Sequence, residues 1–373
     1  MSRARLFEPV HVGGLEVPSR LWMPPMCQYS AAAEGAGMGM PGDWHRLHYG
    51  TRALGGVGAV IVEATGVVPE GRISVNCLSF HEDARIPAFG DLARLIHAGG
   101  AAAFIQLNHA GRKGSARAGW LEGHAGGEEG GWQVVGPSPI PFAPGWPVPR
   151  ELTDEDVQGV VEAFAQAARR AVEAGFDGVQ VHAAHGYLIH QFLSPASNHR
   201  RDRWGGDFGG RTRLVREVVR AIRGAIGDAA LLVRVSATDW TQEYPADGRP
   251  GWSLEDTLRL APLLVEDGVD MVNVSTGGNV HDARIAGGPG YQVFAASAVR
   301  DVLGGGGGRT VPVAACGLVL APEQAEQILA DGRADVVEIG RVMLTDPMAP
   351  RVWRGRLRVE QGWPEQLRRG TAR

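Results

Sequence analysis

Two hydrophobic patterns alternate along this chain. One places apolar residues at helical spacing and stops at a glycine; the other is a short unbroken apolar run rich in valine. The segment from Thr153 shows the pairing. Thr153 is a helix cap, Asp154, Glu155 and Asp156 suit the positive end of the helix dipole, and Val157, Val160, Val161, Phe164, Ala168 and Val172 form one stripe. Gly175 ends the helix, and Asp177-Gly-Val-Gln-Val181 follows as a strand. The same grammar recurs from Ser253 to Gly268 before Asp270–Val274, and from Pro322 to Gly332 before Asp335–Ile339.

Eight such runs are strand candidates: Leu21–Met26, Ala59–Ala64, Ala103–Leu107, Val179–Ala183, Leu231–Val235, Met271–Ser275, Val311–Ala315 and Val336–Ile339. Most are continuously apolar, as strands covered on both faces of a parallel sheet are. Eight strand-then-helix units predict an α/β fold, a (β/α)8 TIM barrel, over a doubly wound open sheet. One domain is expected over 1–373, with three additions. Residues 1–20 hold a hairpin turning at Gly13-Gly14, placed to close the barrel bottom. Residues 110–150, after the third strand, are rich in Gly, Trp and Pro without periodicity and form a lid loop. Residues 351–373 are an Arg-rich tail. The run Gly304–Gly308 lacks the lysine and hydroxyl of a phosphate loop and is expected to be a surface turn.

Composition narrows the partners. There are 41 acidic against 37 basic side chains, a net charge of −4, which gives no support for a nucleic-acid partner. No apolar stretch approaches the ~20 residues of a membrane span, and the N-terminus lacks a secretory signal. Three cysteines, Cys27, Cys77 and Cys316, are too few for a disulfide framework or a four-cysteine cluster and fit a reducing, cytoplasmic setting.

In a barrel, chemistry gathers at the carboxyl ends of the strands. The most informative end is His182-Ala-Ala-His185-Gly-Tyr187, two imidazoles and a phenol within six residues. Imidazoles can hold a carbonyl oxygen and a phenol can deliver a proton beside it. A zinc site would want more ligands than this pair offers, and no metal is expected. Arg234, at the end of an apolar strand, needs an anionic partner; a ligand or a reduced flavin ring would supply one. Gln106 is a milder case, satisfied by backbone. Gly317 and Gly340-Arg341 end the last two strands, where barrels commonly bind phosphate. Lys113 is the only lysine, hence the only candidate for a Schiff-base lyase or aldolase on this fold, and nothing near it in sequence is apolar enough to lower its pKa. A flavin-binding protein without catalysis is the other alternative.

Longer motifs then become specific: Pro25-Met-Cys-Gln-Tyr-Ser30, Gln106-Leu-Asn-His-Ala-Gly-Arg-Lys113, Gly175–Leu188, Phe192–Arg200 and Ile339-Gly-Arg341. From Leu6 to about Pro350 the chain resembles the Old Yellow Enzyme family of flavin-dependent ene-reductases, in particular its bacterial branch with a cysteine near the flavin and a His pair over it. The resemblance implies bound FMN, with NADPH or NADH as a transient reductant. It implies an FMN site lined by Pro24, Pro25, Met26 and Cys27, with Ala64 and Gln106 touching the ring, Arg234 beside its N1, and Gly317, Gly340 and Arg341 on the phosphate. His182 and His185 would bind the substrate carbonyl, Tyr187 would donate the proton, and Tyr29 would pack over the ring. The implied reaction reduces the C=C bond of α,β-unsaturated carbonyl or nitro compounds, with hydride from flavin N5 to Cβ and a proton to Cα. The branch also implies a homodimer or homotetramer, with Arg369 as the best match for an arginine that reaches a neighbouring subunit's site.

Overall fold

The computed structural model describes residues 4–243, 248–305 and 311–370. The chain begins with an antiparallel hairpin, β1 (Val10–Val12) and β2 (Leu15–Val17), turning at Gly13, whose φ of +58° suits glycine. Eight parallel strands then close a barrel. In chain order they are β3 (Leu21–Met23), β4 (Ala59–Gly66) and β5 (Ala102–Asn108). After two short strands in the long connection, β6 (Val135–Gly136) and β7 (Arg150–Glu151), come β8 (Gly178–Ala183), β9 (Ala230–Ser236), β10 (Met271–Ser275), β11 (Val313–Ala315) and β12 (Val336–Glu338). Each barrel strand pairs with the next, and β12 returns to β3. This is the (β/α)8 barrel that the alternation predicts.

The predicted strands sit where the apolar runs are, with shifted ends. The first stops at Met23, because Pro24 and Pro25 supply no N–H to a ladder. Val311 falls outside β11, and Ile339 outside β12. Helix signals read correctly: Thr153 caps Asp154–Glu173 by accepting from the Asp156 N–H, and Ser253 caps Leu254–Glu266 the same way.

Alternation along the strands divides the barrel interior into two layers. Low in the barrel the inward positions are apolar: Trp22, Ile61, Phe104, Leu232 and Met271 pack with Val10, Val12 and Val17 of the hairpin, which thereby seals the bottom. Higher up β5, β8, β9, β10 and β12 the inward positions turn polar: Gln106, Gln180, Arg234, Asn273 and Glu338, all buried. The connection 110–150 is held in order by hydrogen bonds rather than by apolar periodicity. Ser115 ties its two limbs, donating to the Ala125 carbonyl (3.1 Å) and accepting from the Trp132 N–H (3.1 Å), and Trp120 meets Tyr29 edge-on at 5.5 Å. Of the run Gly304–Gly308, residues 306–308 lie outside the described residues, as do 371–373 of the tail.

Candidate active site

The polar layer is the floor of the site. Gln106 Nε2 donates to Gln180 Oε1 at 2.7 Å, as the direct pairing of those positions across β5 and β8 requires. So Gln106 uses a neighbouring side chain, not the backbone. Arg234 also differs from expectation, because its counter-charge lies within the chain: Glu338 Oε2 is 3.2 Å from its Nη1. Glu338 in turn accepts from Asn273 Nδ2 at 2.7 Å. Burial raises the Glu338 pKa, against the pull of Arg234. The pairing is incomplete, since Arg234 Nε, Gln180 Nε2 and Asn273 Oδ1 are buried without a partner. Buried polar groups are costly when left unpaired, so this layer is built to meet a polar ligand.

Beside the floor lies a cavity of about 320 Å³. Its wall unites Pro24, Pro25, Met26, Arg234, Gly317, Gly340 and Arg341, which the sequence scatters over four strand ends. Gly317 has φ +106°, and a Cβ there would press on Gln292 at 3.0 Å. A Cβ on Gly340 would meet Met26 Sδ at 3.2 Å. Both glycines keep the backbone open to a close-lying group.

Across the floor stands the imidazole pair. Cross-strand pairing sets His182 next to Arg234. His182 Nδ1 accepts the Ala184 N–H (3.3 Å), which leaves its proton on Nε2, 3.4 Å from His185 Nδ1. His185 Nε2 lies 2.7 Å from Ser275 Oγ. His185 has φ +57°, uncommon for a residue with a side chain, and its N–H is fixed by Ser236 Oγ at 2.9 Å. Burial drives both pKa values well below the ordinary histidine value, and Arg234 and Lys113 add to the effect. Both rings are therefore neutral near pH 7.

Tyr187 meets the His182 ring edge-on at 4.9 Å, and burial raises its pKa well above 10. The phenol is a standing proton donor. Cys27 and Tyr29 pack with Tyr187 against Ala64, Ile73, Cys77 and Ala110, so the expected residues occupy two adjoining halves of one site.

Lys113 departs from expectation. Its ammonium faces the rings of Phe142 (4.5 Å) and Tyr187 (5.0 Å), and it donates to the carbonyls of His185 and Gly278, each at 2.8 Å. Burial, helped by Arg112, lowers its pKa to about 7. The rings come from Phe142 in the connection 110–150 and from Tyr187 after β8, both distant in sequence. Sequence reading placed Ser275 at a strand end without a role, and missed Gln180, Glu338, Asn273 and the buried pair His190–Asp239 (3.1 Å), whose His190 Nδ1 accepts the Gly186 N–H at 2.9 Å and anchors the His-Gly-Tyr turn. For Gln180, Asn273 and Glu338 the signal was the two-residue step along their strands, readable only once register is known; His190 and Asp239 lie off the strands.

A closed barrel with a polar floor, a cavity over the last two strand ends and paired neutral imidazoles above defines a cofactor-dependent barrel enzyme. The chain belongs to the NADH:flavin oxidoreductase / NADH oxidase family, which matches residues 5–358. It is 40% identical over 365 residues to an NADPH dehydrogenase of Geobacillus thermodenitrificans, covering 98% of each chain. It is 39% identical to an NADPH dehydrogenase of Bacillus subtilis, covering 98% of this chain and 99% of that one. Among solved structures it resembles morphinone reductase, with a TM-score of 0.76 and 27% identity, covering 96% of this chain and 91% of that one.

Proposed function

We propose that this chain is an FMN-dependent ene-reductase that takes electrons from NADPH or NADH and reduces the activated C=C bond of α,β-unsaturated carbonyl or nitro compounds. One observation carries the reading: two neutral imidazoles converge above a buried polar floor whose Arg234 Nε and Gln180 Nε2 lack partners. FMN fits there. Gln106, Gln180 and Arg234 would meet the ring, Pro24, Pro25, Met26, Cys27 and Ala64 would flank it, and Gly317, Gly340 and Arg341 would take the phosphate. When bound, FMN supplies the hydride that NADPH or NADH has delivered to it.

The chain's own residues do the rest. Ser275 decides the His185 tautomer: with its hydroxyl donating to Nε2, the ring proton moves to Nδ1. His182 Nε2 and His185 Nδ1 then present two N–H groups to one carbonyl oxygen, where negative charge grows as Cβ is reduced. Each such donor is worth roughly 3 kcal/mol in the transition state. Tyr187 gives its phenolic proton to Cα. Tyr29, set at φ +50° and braced by Trp120, covers the substrate. Lys113 is not a Schiff-base nucleophile in this reading, because both carbonyl contacts hold its nitrogen in the wall behind Tyr187.

The decisive test is colour and turnover. Purified protein is expected to be yellow, to release FMN on denaturation, to bleach with NADPH and to recover its colour on adding cyclohexenone. Protein that stays colourless when FMN is supplied defeats the proposal; bleaching without recovery would favour a flavoprotein that only binds. Arg369 lies exposed on the turn Glu365–Gly370. We assign it to a neighbouring subunit's site in a homodimer or homotetramer, to be checked by light scattering and by Arg369→Ala turnover. The free cysteines support a cytoplasmic location.

A further inference from the structure

Cys77 has no part in the mechanism above, yet the fold brings it against Cys27. Cys27 follows β3 and Cys77 lies in the loop after β4. The two segments are stapled side by side: the Ala31 N–H donates to the Asn76 carbonyl (3.0 Å), and Asn76 Nδ2 donates back to the Ala31 carbonyl (3.1 Å). Glu63 on β4 holds the Gln28 N–H at 2.8 Å, which fixes the residue next to Cys27. Within this frame Cys27 packs against the small cluster of Ala64, Ile73, Cys77 and Ala110. The two thiols are unlike in exposure, since Cys27 is partly open and Cys77 is fully buried under Ile73 and Ala110.

We propose that Cys27 and Cys77 form a reversible redox pair, which hydrogen peroxide converts to an intramolecular disulfide at the rim of the active site. Peroxide reaches the pair from the open side. The Cys27 sulfur takes one hydroxyl, and its proton leaves with the other oxygen as water. The Cys77 sulfur then attacks the Cys27 sulfur; the hydroxyl departs with the Cys77 proton as a second water. Two thiols lose two electrons and two protons, and one peroxide becomes two waters. Cys77 is suited to the second step. Its contact with Cys27 and the Ser74 hydroxyl, 3.4 Å from its sulfur, lower its pKa, while the same thiol contact and burial raise that of Cys27. The attacking sulfur is thus the one with more thiolate character. Cys316 is a built-in control: it is buried elsewhere, against Gln292 and the Val274 carbonyl.

The disulfide rests on the stapled segments and the packing that bring Cys27 beside Cys77; only its effect on turnover rests on the reading of Cys27 as a flavin neighbour. The test is peptide mapping of the holoenzyme after hydrogen peroxide, alkylation with iodoacetamide, and digestion without reductant. A linked Cys27–Cys77 peptide is expected, cleaved by dithiothreitol, with Cys316 alkylated throughout. In Cys77→Ser, dimedone should capture Cys27 as a sulfenic acid, with basal turnover unchanged. Recovery of both wild-type thiols in alkylated form overturns the proposal, as does over-oxidation of Cys27 at the same rate in wild type and Cys77→Ser. A linked peptide with unchanged turnover upholds the pair but removes Cys27 from the flavin's edge. A colourless protein defeats the ene-reductase reading and leaves the mapping result intact.

Discussion

Tyr187 and Ser275 do different work on the same carbonyl substrate. Tyr187→Phe removes the proton and leaves the ring against His182, so alkene reduction should fall by roughly 10²–10⁴ while bleaching by NADPH keeps its rate. Stopped-flow measurement of the two half-reactions checks this, and equal loss in both would exclude the phenol as the acid. Ser275 acts one step back, through the His185 tautomer. Ser275→Ala removes one hydrogen bond, worth roughly 0.5–1.5 kcal/mol, and should slow alkene reduction by about tenfold or less. Ser275→Thr should restore it, because the hydroxyl is what matters. A loss that Thr fails to rescue would point to packing instead. The two residues also mark what a single sequence reveals. Tyr187 was legible because its chemistry is local, four residues from one strand end. The role of Ser275 was not, since its partner His185 is 90 residues away. Glu338 was hidden for the same reason: only barrel closure brings it to Arg234, so the arginine looked unpaired.

Between elements, two glycines let the loops after β8 and β10 touch. A Cβ on Gly186 would lie 2.2 Å from the Gly278 carbonyl oxygen, and one on Gly278 would lie 2.7 Å from His185 Cα. Both residues have positive φ, +73° and +92°. Gly186→Ala therefore combines a clash with a strained backbone, at about 1–3 kcal/mol for the strain alone. The turn carrying His185 and Tyr187 should shift, with a large loss of kcat and a smaller loss of thermal stability. Activity close to wild type would show that this loop pairing does not set the catalytic geometry. Elements themselves were readable from sequence where local chemistry decides them, as at Thr153 and Ser253. Their ends were less so: the prolines after Met23 shorten β3, and β11 starts only at Val313, where its pairing with β10 starts. The long connection showed no periodicity because Ser115 and Trp132 make its order without any apolar repeat.

For the molecule as a whole, the same burial that keeps the imidazoles neutral should make the fold sensitive to mild acid. His182 and His185 are depressed well below 6.5, His109 to about 4 and His48 to about 3, in each case first by burial. Below about pH 6.5 the unfolded chain takes up a proton at each of these positions while the folded chain does not. Unfolding then binds protons, so stability is fully present above that pH and falls as pH falls, by up to ~1.4 kcal/mol per pH unit for each fully depressed group. Glu338 works in the opposite sense, because its raised pKa lets the folded state bind a proton first. One such group against four histidines leaves the net direction downward. Asp239 and the paired surface carboxylates have lowered pKa values, so their loss comes below about pH 4 and does not overlap. Urea midpoints of the apoprotein should thus drop steadily from pH 7 to pH 5. His48 is remote from the proposed catalysis, packed edge-on to Tyr49 at 4.9 Å. His48→Gln should flatten that slope by one group's share and leave turnover alone. A midpoint that is flat or rising over this interval would mean that the buried histidines gain compensating partners on protonation.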